Sequence, residues 1–167
     1  MNTLNNIKAY DGTNFHEVSN VLASMMKEHT FKNVNDKSKE KFLGIFNYVD
    51  SQDNNKIKEL ERTLAMSDIW VAYKDGAIVG IVRGTRDNIL NLFVKEEFSG
   101  HGIGSQLVQI FEEKCKTEGF PHVRLSSTVD AIGFYETLGY KKTTGLRMAR
   151  YSGKRGFEYQ PMMKALF

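Results

Sequence analysis

The sequence predicts an α/β fold, a mixed sheet with helices on its faces, and three observations carry that prediction. Apolar residues keep helical spacing through the first third of the chain and change to a period of two from Ile69. Asp75-Gly76 stands between two β-rich runs, the pattern of a tight hairpin. The run from Val94 to Leu107 reads as a strand end, a glycine-rich turn and a helix start in unbroken succession. At 167 residues, 41% hydrophobic and 26% charged, the chain suits one domain over 1–167 with a single core.

Taken in order, Asn6 to Tyr10 is a first strand and Asp11-Gly12 a turn. Thr13 or Asn14 then caps a helix to about His29, with Phe15, Val18, Val21, Leu22 and Met25 on its apolar stripe. Asn33 to Ser67 holds two further helices. One is marked by Phe42, Ile45, Phe46 and Val49, the other by Ile57, Leu60 and Leu64. Ile69 to Tyr73 and Ile78 to Val82 are the hairpin strands, and Ile89 to Val94 is the strand that feeds the glycine loop. The helix after the loop buries Ile103, Leu107, Ile110 and Phe111, pairs Glu112 with Lys116 one turn on, and stops at Gly119. His122 to Ser126 is the next strand. Ser127 or Thr128 opens a short helix that ends at Gly139. Lys141 to Ala149 and Phe157 to Lys164 form a closing hairpin around the loop Tyr151 to Gly156. Pro161 gives no ladder hydrogen bond and is expected at a strand end or bulge.

Composition excludes several classes. A net charge of +3, with both signs dispersed, argues for neither a nucleic-acid nor a membrane surface. No apolar run spans a bilayer, and Met1 to Asn6 has neither the basic nor the apolar part of a signal peptide, so a cytoplasmic protein is expected. Cys115 is the only cysteine, which rules out an internal disulfide and a cysteine metal site, and its apolar helical position reads as an inert packed thiol. His16, His29, His101 and His122 show no ligand spacing, so no metal is expected.

Gly100, Gly102 and Gly104 let the backbone approach a ligand closely. The helix start that follows offers unpaired N–H groups at the positive end of its dipole, a setting for phosphate. The dinucleotide fingerprint fails, because the third glycine is missing at its spacing. The triphosphate-binding loop fails as well, because Ser105-Gln106 stands where Lys-Ser or Lys-Thr is needed.

Leu92-Phe93-Val94, the loop Ser99-Gly100-His101-Gly102-Ile103-Gly104 and the later Ala131 to Tyr140 together resemble, in order and separation, the GCN5-related N-acetyltransferases. The resemblance covers about Ile69 to Lys142 and extends more loosely to both ends. It implies a largely antiparallel, twisted sheet of about seven strands with a V-shaped splay and helices on both faces. It also implies that the loop holds the pyrophosphate of coenzyme A and that the splayed strand admits the pantetheine. The positions it assigns to acetyl-CoA are Leu92, Phe93, Val94, Ser99, Gly100, His101, Gly102, Ile103, Gly104, Ser105, Thr128 and Phe134. Ser99 departs from the family's usual Arg or Gln, and Thr128 from its usual Asn.

The implied reaction is direct acetyl transfer from acetyl-CoA to a primary amine. Tyr135 acts as general acid to the departing thiol, and the N–H groups freed at the splay stabilise the carbonyl oxygen. None of Glu17, Glu28, His29, Asn91, Glu96 and Glu97 is distinguished as a base. A small amine is the expected acceptor, received between Thr30 to Lys41 and Tyr151 to Gly156, with a homodimer as the assembly to test. The alternatives are a protein N-terminal or lysine acetyltransferase and a non-catalytic acyl-CoA sensor on the same fold.

Overall fold

The computed structural model describes residues 6–167. Met1–Asn5, most of the stretch read for a leader peptide, lie outside the described residues. The chain runs β1 (Asn6–Ala9), α1 (Phe15–Met25) with a π-helical turn Met26–Thr30, α2 (Asp36–Leu43), a 3-10 turn Gly44–Tyr48 and α3 (Asn54–Ala65). It continues through β2 (Asp68–Lys74), β3 (Ala77–Thr85), β4 (Asn88–Val94), α4 (Ile103–Thr117), β5 (His122–Thr128) and α5 (Ile132–Thr137). It closes with β6 (Lys141–Lys142), β7 (Arg147–Tyr151) and β8 (Lys154–Ala165). The sheet order is β1-β2-β3-β4-β5-β8-β6, with β7 also on β8, and every pairing is antiparallel except β4 with β5.

The central strands are apolar on both faces because both are covered. Ile69, Val71, Ile78 and Ile81 meet Val18, Leu22, Phe46, Leu60 and Leu64 from the α1–α3 layer. Ala72, Val79 and Val82 meet Leu107, Val108 and Phe111 of α4, with Leu125, Tyr140 and Met162 alongside. Asp75 and Gly76 both take positive φ, 50° and 79°, the conformation a two-residue hairpin requires.

The expected elements are present, with local corrections. Asn14 precedes α1 but makes no side-chain cap; Asp11 instead accepts from the Thr13 N–H at 2.9 Å. The helix expected to reach His29 widens to a π turn after Met25. Eight strands replace seven because Lys141–Ala149 is broken, and the six-residue loop Tyr151–Gly156 shrinks to a turn at Ser152-Gly153. Ile110 is only half-buried, with Val108 and Cys115 taking its place in the core stripe.

Glu112 does not pair with Lys116. Its side chain is buried and accepts from Lys164 of β8 at 2.8 Å, while Lys116 takes Glu113. Pro161 lies inside β8 rather than at its end. Its carbonyl accepts from Thr143 N–H at 3.1 Å, so its nitrogen faces the same outer side, where the neighbouring strand is interrupted between β6 and β7. No ladder bond is forfeited there.

Candidate active site

β4 and β5 pair only at Asn88 with Arg124 and Ile89 with Leu125, and beyond that they diverge. The parallel contact is therefore the closed end of a V. Asp87, buried in the turn before β4, holds that end shut. Its two carboxylate oxygens accept from Arg124 Nε at 3.0 Å and Nη2 at 2.9 Å, and His122 Nε2 lies 3.0 Å away. The Arg124 guanidinium keeps the Asp87 carboxyl below its ordinary value.

The open arm of the V presents unpaired backbone. Lys95 N–H donates back to Val79 of β3 at 2.9 Å, and Phe93 pairs with Ile81 in the same ladder. Strand alternation then turns the N–H groups of Leu92 and Val94 toward the opening. The Leu92 and Val94 side chains join the α4 layer, whereas Phe93 packs on the α1–α3 side.

The glycine loop and the start of α4 form a second opening beside this arm, a cleft of about 520 Å³. Its lining includes Leu92, Val94, Ser99, Gly100, Gly102, Gly104, Ser105 and Phe134. Gly102 occupies the N-cap position with φ 80°, so no side chain caps this helix, and its first turn carries no acid. The first intrahelical bond is given by Gln106 to the Gly102 carbonyl, which leaves the N–H groups of Ile103, Gly104 and Ser105 without helical partners. By contrast, α2 and α3 are capped by Asn35 and Asp53. Gly104 packs closely on Phe134, and a Cβ there would stand 3.2 Å from Phe134 Cζ, a tight contact to which the ring would have to yield. His101, assigned a place in the loop, is exposed and turns Nδ1 to within 2.9 Å of the Ser99 carbonyl, away from the cleft lining.

Tyr135 on α5 lines both the glycine-loop cleft and the cleft between β4 and β5, as do Leu92, Val94 and Ala131. The two openings therefore meet at these four residues. The Tyr135 ring packs edge-on against Phe134 and Tyr140, and burial lifts its phenol well above the ordinary value, so the proton stays on oxygen across the working pH range.

A third cleft, of about 600 Å³, continues from the V on the α1–α3 side. Its lining includes His29, Thr30, Lys32, Thr128, Arg155 and Phe157. It draws on both segments expected to hold the acceptor. His29, Thr30, Thr128 and Asp130 line this cleft and the V together, so Thr128 lies at the junction rather than along the glycine loop. Across the mouth, Lys32 Nζ donates to Asp130 Oδ2 at 2.7 Å. Sequence reasoning passed over Asp130, having taken Ser127 or Thr128 as the start of the helix that follows this strand. It also passed over Arg83, a lone cation inside an apolar strand, which is the signal that marked it.

Residues 24–166 match the family model described as acetyltransferase (GNAT) domain. Over 90 residues the chain is 31% identical to N-acetyltransferase 8B from Homo sapiens; the match covers 46% of this chain and 40% of that protein, so the chain spans well under two thirds of this curated relative. Its fold is similar to the GCN5-related N-acetyltransferase structure titled Aminotransferase, Class-II from Rhodopseudomonas palustris, with TM-score 0.73 at 16% identity over 96% of this chain and 95% of that one. It is also similar to an acetyltransferase from Bacillus subtilis solved in complex with CoA, with TM-score 0.51 at 17% identity over 70% and 86% of the two chains.

Proposed function

The chain belongs to the GNAT acetyltransferase family, and on that premise we propose that it transfers the acetyl group of acetyl-CoA directly to the primary amine of a small-molecule acceptor. One observation carries the reading. The glycine-loop cleft opens into the V at Leu92, Val94, Ala131 and Tyr135, and the cleft on the α1–α3 side opens into it at His29, Thr30, Thr128 and Asp130. Two ligands entering from opposite faces of the sheet would meet there.

The residues fit the coenzyme. The uncapped start of α4 offers three N–H groups and the positive end of a 15-residue helix to a pyrophosphate, and Gly100, Gly102 and Gly104 keep side chains out of its way. Ser99 supplies no charge, so main-chain donors carry the site. Leu92, Val94, Thr128 and Phe134 would flank the pantetheine arm, with Phe93 holding the strand from its other face. Acetyl-CoA supplies the activated acetyl group.

The protein's part is to bind, orient and move protons. The outward N–H groups of Leu92 and Val94 donate to the oxygen that gains charge. The Tyr135 hydroxyl, kept protonated by burial, gives its proton to the departing sulfur. The same dry surroundings would raise the pKa of a thiolate placed beside it, so donor and receiver stay comparable. The acceptor's proton leaves through the open third cleft, where His29 is the one imidazole among the described lining residues. The test is release of free CoA from acetyl-CoA on addition of amines; acetyl-CoA that binds without any amine-dependent CoA release would make the protein a sensor instead.

A further inference from the structure

Arg83 of β3 is a cation largely withdrawn from water, and among the described residues no carboxylate lies within ion-pair distance of it. Its Nε donates to Ser67 Oγ at 3.1 Å and its Nη1 to Asn91 Oδ1 at 2.9 Å, and its guanidinium carbon sits 5.1 Å from the centre of the Phe46 ring. Two neutral hydrogen bonds and one ring face offset only part of the desolvation of a full charge. A charge kept in that state beside a cleft points to a function.

Asn91, the cross-strand partner of Arg83, lines the V on the acceptor side together with His29 and Met25. Arginine has donors and no acceptor, so it can only meet the amide oxygen of Asn91. That fixes the amide's orientation. Its NH₂ has no protein hydrogen-bond partner among the described residues and belongs to a side chain that faces the cleft. The wall therefore shows a fixed donor, polarised by a positive charge behind it, to whatever lies beside the reacting amine. A donor pair of this kind repels an ammonium and attracts an anionic oxygen.

We propose that Asn91, oriented by Arg83, selects the acceptor by donating to a carboxylate next to its amine, so that the acceptor is an amino-acid-like molecule rather than a simple polyamine. Asn91 touches the acceptor; Arg83 is a positioning residue. The inference rests on acetyl transfer as proposed above and adds the acceptor's chemical class to it.

The test uses pairs of amines that differ only in the carboxylate: each of the twenty protein amino acids that has a decarboxylated counterpart, and that counterpart, with CoA release as the readout. A tripeptide amide, which offers a carbonyl in place of the carboxylate, separates a peptide N-terminus from a free amino acid. Wild type should prefer the carboxylate-bearing member in kcat/KM by roughly tenfold to hundredfold, the range of one hydrogen bond to a charged group. Asn91→Asp should fold, because aspartate can pair with Arg83, and should keep acetyl-CoA affinity within about twofold by calorimetry while losing the preference. Arg83→Met, which lets the amide turn over, should lose it as well, whereas a merely structural role for either residue would leave the ratio between pair members unmoved. A preference for the decarboxylated amines, equal turnover of both members, or a preference that survives Asn91→Asp would each overturn the inference alone, whereas acetyl-CoA binding with no CoA release on any amine would overturn the transfer reading and the inference together. Absence of acetyl-CoA binding in wild type would overturn the transfer reading and this inference with it.

Discussion

In the proposed transfer the chemistry turns on Tyr135, because among the described residues it alone joins a buried, protonated hydroxyl to the place where both clefts meet. Tyr135→Phe keeps the ring that packs on Phe134 and Tyr140 and removes only the proton. Turnover should fall by about a hundredfold, within the span of one general acid, with acetyl-CoA affinity unchanged by calorimetry. A parallel fall in affinity would make Tyr135 a packing residue. Cys115 is the opposite case, a group of reactive type placed where it does nothing. It is fully buried in the α4 layer with Sγ 3.3 Å from the Arg86 carbonyl, and burial pushes its thiol up to about 11. The thiolate is the reactive form, so a disulfide reagent at pH 8 should label the folded protein far more slowly than the protein unfolded in guanidinium. Fast labelling of the folded state would contradict the packing.

At the scale of elements, the V depends on a clamp as much as on a gap. Asp87 fastens the β3–β4 turn to β5 through Arg124 and His122, and just beyond it the two strands hold each other at only two residue pairs. Asp87→Asn should cost about 2 kcal/mol of stability at pH 7, the range for hydrogen bonds to a charged group. The pH dependence follows from the depressed carboxyl. Its contribution is present above the unfolded value, near 4, and is lost as pH falls through the lower folded value, so the gap between wild type and Asp87→Asn should close in acid. Urea denaturation at pH 7 and pH 3 measures it, and a gap that stays constant would remove the charge from the account. The start of α4 shows the complementary device, in which a helix is left uncapped. Asn35 and Asp53 complete α2 and α3 with their own side chains, while Gly102 leaves three N–H groups facing a cleft.

Across the whole molecule, the sequence made the β2–β3 hairpin, the strand-loop-helix unit and the two-sided cover of the sheet legible, because each rests on local signals. Asp75-Gly76 forces its turn, three glycines mark the loop, and the change of apolar period at Ile69 separates the layers. Distant pairings were out of reach. Lys164 lies 52 residues from Glu112 and outcompetes the i,i+4 partner Lys116, and the break in the strand beside Pro161 depends on which neighbour β8 acquires. Of the candidate site, the glycine loop stood out in the residues themselves and Tyr135 entered only through the family resemblance, whereas Asp130, Arg83 and the orientation of Asn91 appear only once β3, β4 and β5 stand together.

The central claim is that acetyl-CoA binds at the uncapped start of α4, and calorimetric titration of wild type and Gly104→Val with acetyl-CoA tests it most directly. A valine at 104 would crowd Phe134 and Val94 and fill the cleft from within. The account predicts a 1:1 complex for wild type, with affinity lowered at least about a hundredfold in a folded Gly104→Val protein. Equal affinity in the two proteins, or no binding to wild type, would contradict it.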